Sequence, residues 1–295
     1  MFHRTAAPPW GRLVGILLAA ALFFSAVGCA KSATSPISEK PATEIVLAST
    51  TSTQDSGLFD VLIPAFEVAM SPRYDVKVIA VGTGEALKLG ETKDADVLLV
   101  HAKVDEEKFV AAGFGIERKD VMYNDFLIVG PKADPVGIKA SKDTTAAMLA
   151  LQKIGKARKA TFVSRGDDSG THKKELKLWA ASGITTPTPE ADEWYLSTGQ
   201  GMGETLKIAA EKDAYTLVDR ATYLSMKDTL PQLAIAREGD TGLLNQYGVI
   251  VVTGAKNEAA GKAFADWILG TEGQKVIGDY GVEKYGQQLF VPNAQ

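Results

Sequence analysis

The sequence predicts an α/β protein with largely parallel sheets flanked by helices. Short β-branched runs alternate with stretches of helical spacing along most of the chain. After Asp96, the run Val97-Leu98-Leu99-Val100 is apolar without a break, the pattern of a strand covered on both faces. Loops of small residues recur where a strand feeds a helix, the end of such sheets where ligands sit.

Residues 1–28 read as a secretory signal. Arg4 and Arg12 supply the positive start, and Leu13 to Val27 form an apolar stretch too short to span a bilayer. Ala26-Val27-Gly28-Cys29 resembles the lipobox of bacterial lipoproteins, which implies lipidation at Cys29 and an anchor in a membrane. Ala26 stands where that motif usually has leucine. Residues 29–43, rich in Ser, Thr, Pro, Ala and Lys, form a flexible tether. The rest is expected to be an extracytoplasmic globule at a periplasmic or cell-surface location.

Of 295 residues, three are histidine and one is cysteine, which leaves no Cys/His cluster for a structural metal or a disulfide framework. No metal ligands or cofactor are expected. Losing Arg4 and Arg12 with the signal takes the formal charge from −4 to −6. A mildly acidic globule is a poor nucleic-acid partner, so any anion must be held by local donors.

Glu44 to Ala48 is a strand running into the hydroxyl run Ser49-Thr50-Thr51-Ser52-Thr53, and Leu58, Leu62, Ala65, Phe66 and Ala69 mark the next helix. Val76 to Val81 is a second strand ending in Gly82-Thr83-Gly84. That G-x-G lacks the third glycine of a dinucleotide site, but its small residues allow close approach to the backbone. Asp96–Val100 is the third strand, residues 108–112 are helical, and Asp125 to Val129 is a strand stopped by Gly130-Pro131. Residues 145–156 are helical. Residues 193–196 form a strand that leads to Ser197-Thr198-Gly199-Gln200-Gly201-Met202-Gly203 and a further helix. Strands follow at 214–218, 232–236 and 248–252, then helices at 259–269 and 273–280.

The chain is organised around residues 163–172, Val-Ser-Arg-Gly-Asp-Asp-Ser-Gly-Thr-His. The strand Ala160–Val163 delivers this loop to a helix whose buried face is expected at Leu176, Trp179, Ala180 and Gly183. A helix start leaves backbone N–H groups without intrahelical partners, and these favour an anion. Ser169 and Thr171 add hydroxyl donors, and Arg165 adds a permanent charge on a rigid fork. Lys174 breaks a capping box starting at Thr171, so N–H groups stay free for a guest. The plainer alternative is a capped loop in which Arg165 pairs with Asp167 or Asp168.

Thr50–Thr53, Val81–Gly84, Asp96–His101, Val121–Phe126, the Arg165 loop and Gly199–Gly203 together resemble the tungstate-binding proteins of bacterial ABC importers. The resemblance implies the two-lobed periplasmic binding protein fold of type II, with the oxyanion between lobes joined by two crossing strands. Lobe 1 is then expected at 44–129 and 231–295, and lobe 2 at 130–230, with crossings near Gly130 and Leu233. Arg165-x-Asp167-x-Ser169-Gly170-Thr171 also looks like the anion loop of phosphate-binding proteins. Carried over, Arg165, Ser169, Gly170 and Thr171 face Thr51, Ser52 and Thr83 across the cleft, with Thr50, Gly84, Gly201 and Met202 as outer contacts. Asp167 orients the arginine. The implied partners are tungstate and a membrane permease, with the binding protein itself a monomer.

Tungstate carries no proton at neutral pH, so a donor-only site suits it. Monoprotonated phosphate needs an acceptor, which Asp55 offers; molybdate and sulfate differ from tungstate too little in size for sequence to separate them. Two other function classes compete. A hydrolase using Asp168, Ser169 and His172 lacks room for a relay within five positions, and no G-x-S-x-G elbow is present. An adhesion protein needs Arg165-Gly166-Asp167 at an exposed loop tip. His101 reads as a structural residue, His172 as a neighbour of the site or a solvent-facing residue, Trp179 and Trp267 as core, and Trp194 as a weaker candidate for the cleft.

Overall fold

The computed structural model describes residues 41–71 and 73–295. The signal, Cys29 and all but the end of the tether lie outside them. The strands are β1 (Thr43–Thr50), β2 (Tyr74–Val81), β3 (Val97–Val100), β4 (Gly115–Pro131), β5 (Phe162–Ser164), β6 (Tyr195–Ser197), β7 (Tyr215–Asp219), β8 (Leu233–Arg237), β9 (Leu244–Val252) and β10 (Val291–Pro292). They order as β2-β1-β3-β9-β4-β7-β5-β6, with β8 and β10 also paired to β4.

The strand β4 belongs to two sheets. Its first part, to Asp125, pairs with β9; from Phe126 onward it pairs with β7 and β8. The first crossing therefore lies at Asp125–Phe126, earlier than Gly130. The strand β8 pairs with Ile128–Pro131, so it belongs with the second sheet, and the return crossing falls between Arg237 and Leu244 rather than near Leu233. Arg220 ties both crossings together: its guanidinium donates to both carboxylate oxygens of Asp125 at 2.8 and 2.6 Å and lies 2.6 Å from Glu238.

The sheets are mixed rather than largely parallel. Parallel pairing joins β1 to β2 and β3, and β5 to β6 and β7. Every antiparallel pair contains β4 or β9, because a chain that crosses and returns must run against its neighbours. The first half of β4 escapes a pattern-based reading because Glu117-Arg118-Lys119-Asp120 interrupts it with four charges. Arg118 is buried there by an ion pair with Glu106 at 2.6 Å and a second with Asp120. Burial pushes the Glu106 carboxyl up to about 7, against the pull of Arg118.

Helices cover the sheets: α1 (Thr51–Asp55), α2 (Phe59–Ala69), α3 (Thr83–Glu91), α4 (Lys103–Ala111), α5 (Thr144–Lys156), α6 (Gly170–Ala181), α7 (Met202–Glu211), α8 (Arg220–Met226), α9 (Glu258–Leu269), α10 (Thr271–Asp279) and α11 (Val282–Tyr285). One apolar core gathers Leu47, Phe66, Val97, Val249 and Phe264. Another gathers Phe126, Met148, Phe162, Trp179, Trp194 and Tyr215. Trp194 is thus a core residue, not a cleft residue.

The buried face of α6 differs from the expected one. Thr171, Glu175, Leu178 and Trp179 are buried, whereas Leu176 is half-buried and Ala180 and Gly183 are exposed. The carboxylate of Glu175 goes inside because Trp179 Nε1 and Tyr195 OH donate to it at 3.0 and 2.7 Å. Two donors offset part of the desolvation that otherwise keeps glutamate on the surface.

Candidate functional site

Four helix starts gather at the junction of the two sheets. Thr50 caps α1 with its hydroxyl, Gly82 precedes α3, Ser169 caps α6, and Gly201 precedes α7. Strands β1, β2, β5 and β6 lead to these starts, so each loop sits at a strand's carboxyl end. Ser169, not Thr171, is the cap of α6: its Oγ accepts from His172 N at 3.1 Å. That bond uses one free N–H of the first turn.

Arg165 occupies the centre and is 1% exposed. Its Nη2 donates to Thr51 Oγ1 at 2.9 Å across the cleft and to Asp167 Oδ2 at 2.5 Å. Asp167 Oδ1 in turn accepts Ser169 N at 3.2 Å, which fixes the loop around the guanidinium. Nε and Nη1 of Arg165 are buried without a partner in the protein, and so is Thr171 Oγ1. A buried donor left unpaired costs about 1–3 kcal/mol. An oxyanion with only acceptor atoms satisfies these donors, and the residues present fit such a guest.

The hydroxyl run of the first sheet lies opposite. Thr50, Ser52 and Thr83 are fully buried. Thr83 Oγ1 accepts Gly170 N at 3.1 Å, so two of the expected anion contacts bond to each other across the cleft. Asp168 faces Gly84 closely enough that a Cβ there would collide with its carboxylate. Gly201 lies against Thr51, with a Cβ position 3.4 Å from Thr51 Cγ2. Met202 turns its side chain into the apolar core, which leaves only its backbone at the helix start.

Several neighbours of the site make contacts that the sequence did not assign to them. His101 Nε2 is 3.1 Å from Ser52 Oγ and 3.2 Å from Thr50 Oγ1. Burial, and then the charge of Arg165, push its pKa down to about 3, so the ring is neutral at physiological pH. The short helix α1 is held by the second half of the chain at three further points. Asp55 Oδ2 accepts Gly203 N at 2.8 Å, Ser225 Oγ donates to Asp55 O at 2.8 Å, and Thr222 Oγ1 lies 3.0 Å from Ser52 O. None of these has a local sequence signal, because each joins residues well over a hundred positions apart. A cleft of about 740 Å³ opens beside the site, lined by Thr51, Gln54, Asp55, Gly201, Gly203 and Lys207 among others.

The competing readings meet this geometry poorly. His172 Nδ1 accepts the backbone N–H of Asp168 at 3.1 Å and Ser169 Oγ serves as a helix cap, so no serine–histidine relay forms. Buried Arg165 cannot present an adhesion tripeptide. Among the described residues there is no group of three or more His, Cys, Asp or Glu able to hold a metal ion. No helix among them is long and apolar enough to cross a membrane.

Comparison with known proteins agrees with the geometry. The PBP superfamily domain matches residues 35–272. The tungstate-binding protein TupA of Peptoclostridium acidaminophilum is 53% identical over 96% of this chain and 99% of its own. The structure of the tungstate ABC transporter from Geobacter sulfurreducens is 48% identical, with a TM-score of 0.71 over 82% of this chain and 100% of that one. The tungstate-binding protein TupA from Desulfovibrio alaskensis G20 is 44% identical, with a TM-score of 0.68 over 86% of this chain and 100% of that one. The chain belongs to the PBP superfamily and, within it, to the family of the TupA tungstate-binding proteins.

Proposed function

We propose that this chain is the extracytoplasmic solute-binding component of an ABC importer and captures tungstate between its lobes without turning it over. The observation that carries this is the set of buried, partnerless donors on Arg165 and Thr171, set among converging helix starts. Thr51, Ser52 and Thr83 from lobe 1, and Arg165, Ser169, Gly170 and Thr171 from lobe 2, would supply the contacts, with Thr50, Gly84, Gly201 and Met202 around them. Those paired across the cleft would exchange that partner for the anion. Charge-assisted bonds contribute about 1.5–3 kcal/mol each, and a few of them, less desolvation, reach a nanomolar site near about −12 kcal/mol. Cys29 would carry a lipid that holds a monomeric receptor at the membrane beside its permease.

Asp55 bears on phosphate as a ligand. Its Oδ2 is committed to Gly203 N, and burial raises its pKa. Its Oδ1 carries no hydrogen bond among the described residues, so Asp55 still offers the acceptor that a monoprotonated phosphate needs, and measured binding has to separate phosphate from tungstate, molybdate and sulfate. Calorimetry against these four anions tests the proposal. Tight one-to-one binding of tungstate is expected, and binding of phosphate alone would overturn it.

Gly170→Ala probes the same site without removing a donor. The added Cβ lies 2.5 Å from Cε1 and Nδ1 of His101 and 3.1 Å from its carbonyl oxygen. Overpacking of this kind costs about 1–3 kcal/mol. Here it pushes α6 away from the hydroxyls, so tungstate affinity is expected to fall about tenfold or more. Calorimetry on the variant checks it.

A further inference from the structure

One hydrogen of Thr222 faces two acceptors. Its Oγ1 lies 3.0 Å from the Ser52 carbonyl oxygen and 2.7 Å from Asp219 Oδ2. A threonine hydroxyl has a single proton to give. A carbonyl and an ionised carboxylate can only accept. All three residues are fully buried. The other carboxylate oxygen, Asp219 Oδ1, is already taken by Thr222 N at 2.9 Å. The Ser52 carbonyl oxygen also accepts Ser56 N at 3.0 Å, yet only a neutral Asp219 puts a hydrogen in both contacts of Thr222 Oγ1: Oδ2–H donates to the hydroxyl, and the hydroxyl donates to Ser52.

These contacts bridge the cleft. Ser52 lies in α1, after a strand of the first sheet, whereas Asp219 ends β7 and Thr222 lies in α8. We infer that Asp219 is a positioning residue that takes up one proton as α1 docks against α8, so that capture of the anion is proton-linked. This rests on the proposal that the lobes close around an oxyanion. The proton comes from solvent: one O–H bond forms at Oδ2, and one buffer molecule loses its proton.

The charges around Asp219 act in both directions. Asp55 of α1 opposes its ionisation, Arg165 after β5 favours it, and Tyr247 of β9 faces it as a phenol. Burial dominates and pushes the carboxyl up to about 6. When α1 moves away, Ser52 and Asp55 leave with it, and the carboxyl returns toward the ordinary range. A dianion on Arg165 adds negative potential and raises the closed-state value further. The acid is thus weaker in the closed form. Proton uptake favours binding at low pH, and affinity falls as pH rises through the interval between the open and closed values, by about tenfold per unit.

Calorimetry with sodium tungstate tests this on the purified chain at about pH 6, in two buffers of different ionisation enthalpy. Binding is expected to take up a measurable fraction of one proton. Asp219→Asn places an amide N–H where the acid O–H stands, so it should keep tight binding and lose both the uptake and the pH dependence. Zero uptake by the unmodified protein from about pH 5 to about pH 7.5 would overturn the inference, as would equal uptake in the variant. Infrared difference spectra of the unmodified protein, with tungstate minus without, serve if the variant fails to fold. A new carboxylic-acid carbonyl band is expected, and its absence refutes the inference. Failure to bind tungstate at all would sink the proposed ligand; binding without proton uptake would sink only the role of Asp219.

Discussion

Arg165→Ala is expected to weaken tungstate binding by about two to four orders of magnitude. The guanidinium keeps Nε and Nη1 buried and partnerless, while Nη2 serves Thr51 and Asp167. Two charge-assisted bonds at about 1.5–3 kcal/mol each account for that range. The fold should tolerate the loss. Burial disfavours the charged arginine, and the partner left behind, Asp167, retains 15% exposure of its side chain. Removing the guanidinium therefore lifts a desolvation cost while it breaks one ion pair. Arg165→Lys keeps the charge and loses the fork, so its affinity should lie between the two. Calorimetry, alongside thermal unfolding without anion, separates binding from folding. Unchanged affinity in the alanine variant would refute the assignment of Arg165 to the site.

The largest loss of stability is expected from Trp179→Ala. The indole is fully buried, with Phe162 edge-on at 5.3 Å and Trp194 at 5.9 Å. Truncating a buried tryptophan costs about 3–5 kcal/mol. The change also removes the Nε1 donor of Glu175, a buried carboxyl whose pKa burial already raises. Trp179→Phe isolates that donor and should cost about 1–3 kcal/mol. The sign of the pH effect follows from linkage. An acid whose folded pKa lies above its unfolded one contributes less stability as pH rises past the unfolded value. Losing a donor widens the gap, so the deficit of the phenylalanine variant should grow as pH climbs through the carboxylate range. Urea unfolding at several pH values measures both effects. An alanine variant within about 1 kcal/mol of the parent would contradict the packing role.

Most elements announce themselves locally. The runs at 44–48, 76–81 and 248–252 are rich in apolar and β-branched residues, with Glu44 and Lys77 as the charged exceptions, and each falls within a strand. The Arg165 loop carried the combination of guanidinium, hydroxyls and glycine that a helix start needs to hold an anion. Charged residues hid the rest. The side chains of Arg118 and Glu106 are buried against each other, and Glu175 is buried against two donors, positions that no hydrophobic pattern marks. Thr51–Asp55 was legible only as a hydroxyl run, because a five-residue helix shows no amphipathic period.

By itself the sequence determined the alternation of strands and helices, the donor set at each helix start and the family the chain belongs to. Each of these rests on short local motifs, and the family on six such motifs spread from Thr50 to Gly203. Tertiary structure decided which donors remain without a partner, where β4 crosses between sheets, and that Thr222, Asp219 and Ser52 share one proton count. Those outcomes depend on groups brought together from distant positions, where burial makes an unpaired donor or an ionised acid costly.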